Sequence, residues 1–243
     1  MLHTALIPAV KQISYHNGML IGKTDVTRVE DSSLAEEAYR LTVKDGITIT
    51  AGSDRGFFYG EKTLKQIFAK YGDCIPNMTI EDEPKYGYRS FMIDSCRHFF
   101  SVTAIKKMID LCADFKFNKF HWHISDDQGW RVQIDKYPAL TEKASVRHGT
   151  ALGQEVTYED YGGYYTKDDV REVVAYAAER YIDVIPEIDV PGHTSALLSV
   201  FPELGCDGAA VEVKKTAGIF RDVLCVSNEK TYEVLYGIFD ELC

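Results

Sequence analysis

The chain has 243 residues, of which 45% are hydrophobic and 26% charged, and a formal net charge of -10. That composition belongs to a folded protein rather than a disordered one; the excess of acids leaves no basic footprint for nucleic acid, and no apolar run is long enough to cross a membrane. Six cysteines, Cys74, Cys96, Cys112, Cys206, Cys225 and Cys243, show no metal-type pairing and read as free thiols, several of them buried. Met1 to Pro8 lacks a charged region followed by a long apolar one, so no secretory leader is read and the expected location is cytoplasmic.

In chain order, Asp31 to Glu37 is acidic and polar and reads as a solvated loop. Arg40 to Thr50 alternates apolar and polar residues on both sides of Asp45-Gly46, the chemistry of a two-residue hairpin turn. Gly56 to Tyr71 follows as a helix whose Leu64, Ile67, Phe68 and Tyr71 can cover one face of that sheet. Glu81-Asp-Glu-Pro84 reads as a linker into a second part of different character.

That second part repeats one theme. Tyr88 to Phe100 is an apolar run closing in Asp94 and then Arg97-His98; a helix with Ile105, Met108, Ile109 and Cys112 on one face should follow, capped by Ser101. In Phe120 to Arg131 the apolar Phe120, Trp122 and Ile124 alternate with His121 and His123, and Asp126 and Asp127 leave the strand at its carboxyl end. Thr166 and Asp169 are spaced as a capping box for a helix carrying Val170, Val173, Val174, Ala177, Ala178 and Tyr181 on one face. Ile182 to His193 closes an apolar run in Glu187 and Asp189, a Pro-Gly turn and His193, and Asn228 to Cys243 is a helix with Val234, Leu235, Ile238, Phe239 and Leu242 in a stripe. Strands separated by helices imply an α/β fold with parallel pairing and right-handed crossovers, which brings the three polar strand ends to one side, where such folds carry their sites.

The residues leave two readings of this cluster open. His121-x-His123 with His193 and several acids suits a divalent metal of an amidohydrolase type, since strand parity aims both imidazoles the same way. The polar, aromatic loop His121 to Arg131 suits sugar, and paired histidines serve equally as hydrogen-bonded filling. Trp130, Tyr164 and Tyr165 read as packing residues rather than stacking platforms.

Asp94 to Phe100, His121 to Arg131 and Pro186 to His193 together resemble the opening barrel motifs of glycoside hydrolase family 20, the β-N-acetylhexosaminidases. The resemblance implies a small α+β domain over 1–85 and, over 86–243, about the first three strand-helix units of a (β/α)8 TIM-type barrel. It implies that Arg97 binds hydroxyls of a terminal N-acetylhexosamine, and that Asp126, Asp189 and His193 form a hydrogen-bonded network beside the catalytic acids. No cofactor and no metal is implied. In the family the substrate's own acetamido oxygen attacks the anomeric carbon while a Glu protonates the leaving oxygen and an Asp steadies the acetamido group. That Asp-Glu pair lies in a His-x-Gly-Gly-Asp-Glu motif, and none occurs among these 243 residues. The chain is therefore expected to be an amino-terminal portion of a larger hexosaminidase, inactive alone and prone to self-association; a non-catalytic saccharide-binding protein is the alternative.

Overall fold

The computed structural model describes residues 6–22 and 24–243; the first five residues of the segment from which no leader is read lie outside the described ones. The chain divides into two compact units, the described residues of Met1–Ser90 with Ile109–Asn118 and Glu179–Ile182, and Phe91–Met108 with Lys119–Ala178 and Asp183–Cys243.

The first unit is a five-stranded sheet and a helix. Strands β1 (Gln12–Ile21), β2 (Val26–Glu30), β3 (Tyr39–Val43) and β4 (Ile47–Ala51) precede helix α1 (Asp54–Tyr71), and β5 (Cys74–Asp82) follows it. The sheet order is β1-β5-β3-β4-β2, with β2 parallel to β4 and the other neighbours antiparallel. Period-two alternation turns Leu41, Val43, Ile47 and Ile49 inward, where they share one core with Phe57, Leu64 and Ile67 of α1. Burying each such side chain contributes on the order of 1.5–3 kcal/mol. The Ser53 hydroxyl caps α1 by accepting from the Gly56 N–H. Gly56 also lets the helix approach the chain beneath it, since a Cβ there would lie 2.6 Å from the Ala38 carbonyl oxygen.

The hairpin expected at Asp45-Gly46 forms, but its tip differs. Val43 pairs with Ile47, so three residues, Lys44 to Gly46, make the connection, and Lys44 N–H donates to the Gly46 carbonyl. Neither Asp45 nor Gly46 takes the positive φ that a two-residue type I′ turn requires.

The second unit carries β6 (Ser90–Asp94), α2 (Val102–Asp114), β7 (Lys119–Asp126), β8 (Gly129–Trp130), α3 (Ala139–Glu142), β9 (Val146–Leu152), β10 (Glu155–Gly162), α4 (Lys167–Ala178), β11 (Asp183–Ile188), α5 (Ser195–Val200) and α6 (Glu229–Leu242), with β6 and α2 beginning or ending in the first. β7 is central, flanked by β6 and β11, and runs parallel to β11 in the register Asp183 to Lys119 through Glu187 to His123. The capping box closes as spaced: Thr166 N–H donates to Asp169 Oδ2 and Asp169 N–H to Thr166 Oγ1. The helix it starts ends at Ala178, and Tyr181 lies beyond it with φ 56, so Tyr181 does not belong to that helical face. Val174 is exposed as well. The hairpin β9-β10, paired from Leu152–Glu155 to Val146–Gly162, has no counterpart in the sequence reading.

All six cysteines are free, as expected, but only Cys96 and Cys112 are buried. Cys206 and Cys225 hydrogen-bond to each other through their thiols.

Candidate active site

Three strands end in acids because the apolar alternation stops there and the chain turns. β6 stops at Asp94, whose Oδ1 accepts the N–H groups of Cys96 (2.9 Å) and Arg97 (3.0 Å), an Asx-type turn that aims the Arg97 side chain back over the strand end. Burial pushes the Asp94 carboxyl up, and the Arg97 hydrogen bonds and charge outweigh it, holding the group below the usual carboxylate range. The guanidinium of Arg97 is held on three sides: Nη1 donates to Asp94 Oδ2 (2.8 Å), Nε to Gln128 Oε1 (3.0 Å), and Nη2 pairs with Asp126 Oδ2 (2.7 Å). Its second Nη1 donor faces His123 Nε2 at 3.4 Å, so one of the five N–H donors remains, on Nη2, on a side chain that is about one-third exposed, 32%.

β7 carries Phe120, Trp122 and Ile124 into the core, as the alternation predicts, and His123 is buried as well. His123 Nε2 lies 2.8 Å from Asp126 Oδ2, while His121 Nε2 and His123 Nδ1 lie 2.5 Å and 3.1 Å from Glu187 Oε2 of β11. Burial works to lower the His123 pKa, and the Asp126 hydrogen bond with the charges of Glu187, Asp126 and Asp94 raises it above the ordinary histidine value.

The third strand end closes the site. After β11, Asp189 N–H donates to Ser125 Oγ, and His193, two residues beyond a cis Val190–Pro191 peptide, takes φ 53. A left-handed backbone at a non-glycine residue costs on the order of 1–2 kcal/mol and is retained where its surroundings fix it. Here Asp127 fixes it, accepting from His193 Nδ1 at 2.8 Å through Oδ2 and from the Ser195 N–H and hydroxyl through Oδ1. His193 Nδ1 is also 3.2 Å from Asp126 Oδ1. Burial lowers the His193 pKa, and Asp126, Asp127 and Asp189 together raise it past the ordinary value. Asp189 is pushed up, first by burial and then by Asp126 and Glu187, against the opposing pull of His193 and His123.

The expected constellation is thus brought together, with one change of partner. Arg97, Asp126 and His193 meet directly; Asp189 joins through space, one of its oxygens lying within 4.8 Å of ligand-type atoms of His123 and Asp126. Asp127, which the sequence reading leaves in the turn, is the acid bonded to His193. Asp94, which that reading names only as the acid closing its strand, and Gln128, which it does not single out, seat Arg97; their signal was position, since both flank residues singled out. Trp130 and Tyr165 are buried packing residues as expected, the Tyr165 hydroxyl donating to the Phe100 carbonyl and lying 3.1 Å from Ser95 Oγ, whereas Tyr164 is 42% exposed.

Beneath these groups lies Arg131, fully buried, with Nη1 donating to the carbonyls of Ser145 and Gly163 and Nη2 to those of Cys96 and Gln128. Over the site, Lys214 N–H donates to the Asp127 carbonyl and Gln128 Nε2 to the Thr216 carbonyl, so the long segment between α5 and α6 is pinned to the acid loop.

Comparison with known proteins follows the same division. The profile of the glycosyl hydrolase family 20 catalytic domain matches residues 86–243, and that of domain 2 of the same family matches residues 9–83. A β-hexosaminidase of Porphyromonas gingivalis is 41% identical over 219 residues, which is 86% of this chain and 27% of that protein. One from Akkermansia muciniphila is 39% identical over 218 residues, 88% of this chain and 43% of that protein. Among solved structures, a β-N-acetylhexosaminidase superposes with a TM-score of 0.91 at 35% identity, covering 98% of this chain and 51% of that one. The family 20 β-N-acetylhexosaminidase of Streptomyces coelicolor A3(2) superposes with a TM-score of 0.84 at 34% identity, covering 97% and 56%. The chain therefore spans less than half the length of these two curated relatives and about half that of the solved structures, and it has their mixed α/β fold. By its sequence and its fold, it belongs to glycoside hydrolase family 20.

Proposed function

We propose that this chain supplies the sugar-binding part of a β-N-acetylhexosaminidase that removes terminal N-acetylhexosamine by substrate-assisted retaining hydrolysis. On this reading residues 1–85 are the small α+β domain and residues 86–243 the first three strand-helix units of a TIM-type barrel. The observation that carries it is the seat of Arg97: its donors are committed to Asp94, Gln128 and Asp126 or face His123, so the guanidinium is fixed in direction and the remaining N–H, on the part-exposed Nη2, is set for a sugar hydroxyl. Because the guanidinium is oriented before the sugar arrives, little ordering cost falls on binding. Asp126, Asp127, Asp189 and His193 are the supporting network; they orient and set the protonation of groups beside the reacting bond.

The acid that protonates the leaving oxygen and the Asp that steadies the acetamido group are not among these residues in the family's motif. The reading for the chain by itself is therefore saccharide binding without turnover. General acid catalysis alone contributes about a hundredfold to ten-thousandfold, and the acetamido partner adds to it. Calorimetric titration with N-acetylglucosamine and a chromogenic N-acetylglucosaminide assay test both halves. Binding that is lost in Arg97→Ala, with no turnover, is expected; equal binding in the variant, or turnover at an ordinary enzymatic rate, overturns the reading.

A further inference from the structure

Two buried polar atoms in the site lack an aligned hydrogen bond, His123 Nδ1 and Glu187 Oε2, and they face each other at 3.1 Å. The chemistry of that contact is restrictive. A carboxylate only accepts, so a neutral His123 that gave its one proton to Asp126 through Nε2 would turn a bare Nδ1 lone pair toward Glu187. The opposite tautomer would set a bare Nε2 against Asp126, which is paired with Arg97 at 2.7 Å, and leave that nitrogen the Arg97 Nη1 donor at 3.4 Å. Only a ring protonated on both nitrogens gives both carboxylates a donor. Glu187 Oε2 also lies 2.5 Å from His121 Nε2, so this one oxygen faces two imidazoles of the same strand.

We infer that Glu187 is a positioning residue: its carboxylate keeps His123 doubly protonated, and the imidazolium in turn holds in place the Asp126 carboxyl on which Arg97 is seated. The groups facing His123 from the elements around it are Asp94, Cys96 and Arg97 from the end of β6, Asp126 from β7, and Glu187 and Asp189 from β11. One of them, Arg97, opposes the cation, and so does burial. Arg97 Nη1 lies 3.4 Å from His123 Nε2, and burial disfavours charge. Glu187 and Asp126, on opposite ring nitrogens, offset both, so removing the Glu187 charge leaves Asp126 shared between one cation and a neutral ring. The inference rests on the reading of Arg97 as a sugar ligand only for its consequence, a guanidinium whose direction depends on a residue that touches no sugar.

The test is nitrogen-15 NMR of the histidine rings in the 243-residue chain, titrated without any saccharide. His123 should carry protons on both nitrogens at pH 7 in the wild type. Glu187→Gln should lower its proton affinity at least tenfold, one pKa unit, while the amide resonances of residues outside the site stay in place and report an intact fold. Glu187→Asp, which keeps the charge, should leave His123 cationic at pH 7. A neutral His123 in the wild type, or a fall of less than tenfold in Glu187→Gln, overturns the inference. If Glu187→Gln does not fold, the wild-type and Glu187→Asp spectra still decide. Because no sugar is present, failure of the hexosaminidase reading would leave this result untouched.

Discussion

Asp127 holds His193 by its Nδ1 over 2.8 Å while its other oxygen is taken by Ser195. The carboxylate thereby commits Nδ1 as a donor and makes Nε2 the nitrogen available for proton exchange. A residue two places past a Pro-Gly turn would otherwise sample many directions; here its backbone, tautomer and charge are set by one neighbour.

That link has a pH signature. His193 and His123 both have folded pKa values raised above the unfolded value of about 6.5, so the stability they contribute is fully present below that value and is lost as pH rises through the folded pKa. Raised Asp189 acts in the same direction from lower pH, and lowered Asp94 in the opposite one, its contribution being lost as pH falls. The melting temperature should therefore decline as pH rises above about 6.5, and less steeply in Asp127→Asn. Equal slopes in the two proteins, measured by calorimetry, would remove His193 from this account.

Arg97→Ala should weaken the transition state by roughly 2–4 kcal/mol in a catalytically complete enzyme carrying this segment, the scale of losing charged hydrogen bonds in a desolvated site. The variant also leaves Asp94 and Asp126 without their shared cation. Kinetics on an aryl N-acetylglucosaminide decide it: a kcat/KM within about threefold of wild type excludes the assigned role.

The histidine pair separates a sugar hydrolase from a metal enzyme. His121 Nε2 and His123 Nδ1 both lie against Glu187 Oε2, while His123 Nε2 lies against Asp126. We expect protein purified without a histidine tag to hold no stoichiometric transition metal by elemental analysis. About one zinc per chain, with the fold weakened on chelation, would instead favour a metal site.

Gly56→Ala sets two effects against each other in the first unit. Helix propensity favours alanine by about 1 kcal/mol, yet the new methyl would lie 2.6 Å from the Ala38 carbonyl, a backbone atom that cannot swing aside. Overpacking costs about 1–3 kcal/mol, so net destabilisation is expected. Urea unfolding of the variant at or above wild-type stability would show that the sheet and helix part without cost.

The edges of the central sheet offer a test of association. β6 and β11 flank it, and exposed Phe91, Met92 and Ile185 lie on them. Edges of this kind pair with other chains unless covered. Sedimentation velocity should show concentration-dependent self-association; a monodisperse monomer at tens of micromolar would mean that these edges are guarded in solution.

What the sequence disclosed was whatever one buried face or one cap could signal. The alternation at Phe120, Trp122 and Ile124, the capping box at Thr166 and Asp169, and the helix α6 with its buried Val234 and Ile238 each have a local cause and each forms. The hairpin β9-β10 escaped because β10 is exposed along nearly its whole length, so no face is selected for apolar residues and no alternation results. β1 is likewise mostly exposed. In the site, the strand ends were legible but the division of labour between Asp126 and Asp127 was not. Adjacent residues at a strand end point apart, and which one meets His193 depends on the turn and on Ser195, neither of which has a periodic signature. Glu187 was visible as an acid, but its two imidazole neighbours come from the facing strand, through a register that composition does not encode.

Arg131 has a consequence for how such a site can change over time. Among the described residues its charge is offset by four carbonyl dipoles and by no acid, so it ties the chain at Cys96, Gln128, Ser145 and Gly163 without drawing on the carboxylates that seat Arg97 and His193. The segments between those four points are thereby adjustable without disturbing that seat: on the proposed reading, exchanges in them would alter what lies beyond a terminal sugar while leaving its binding residues in place.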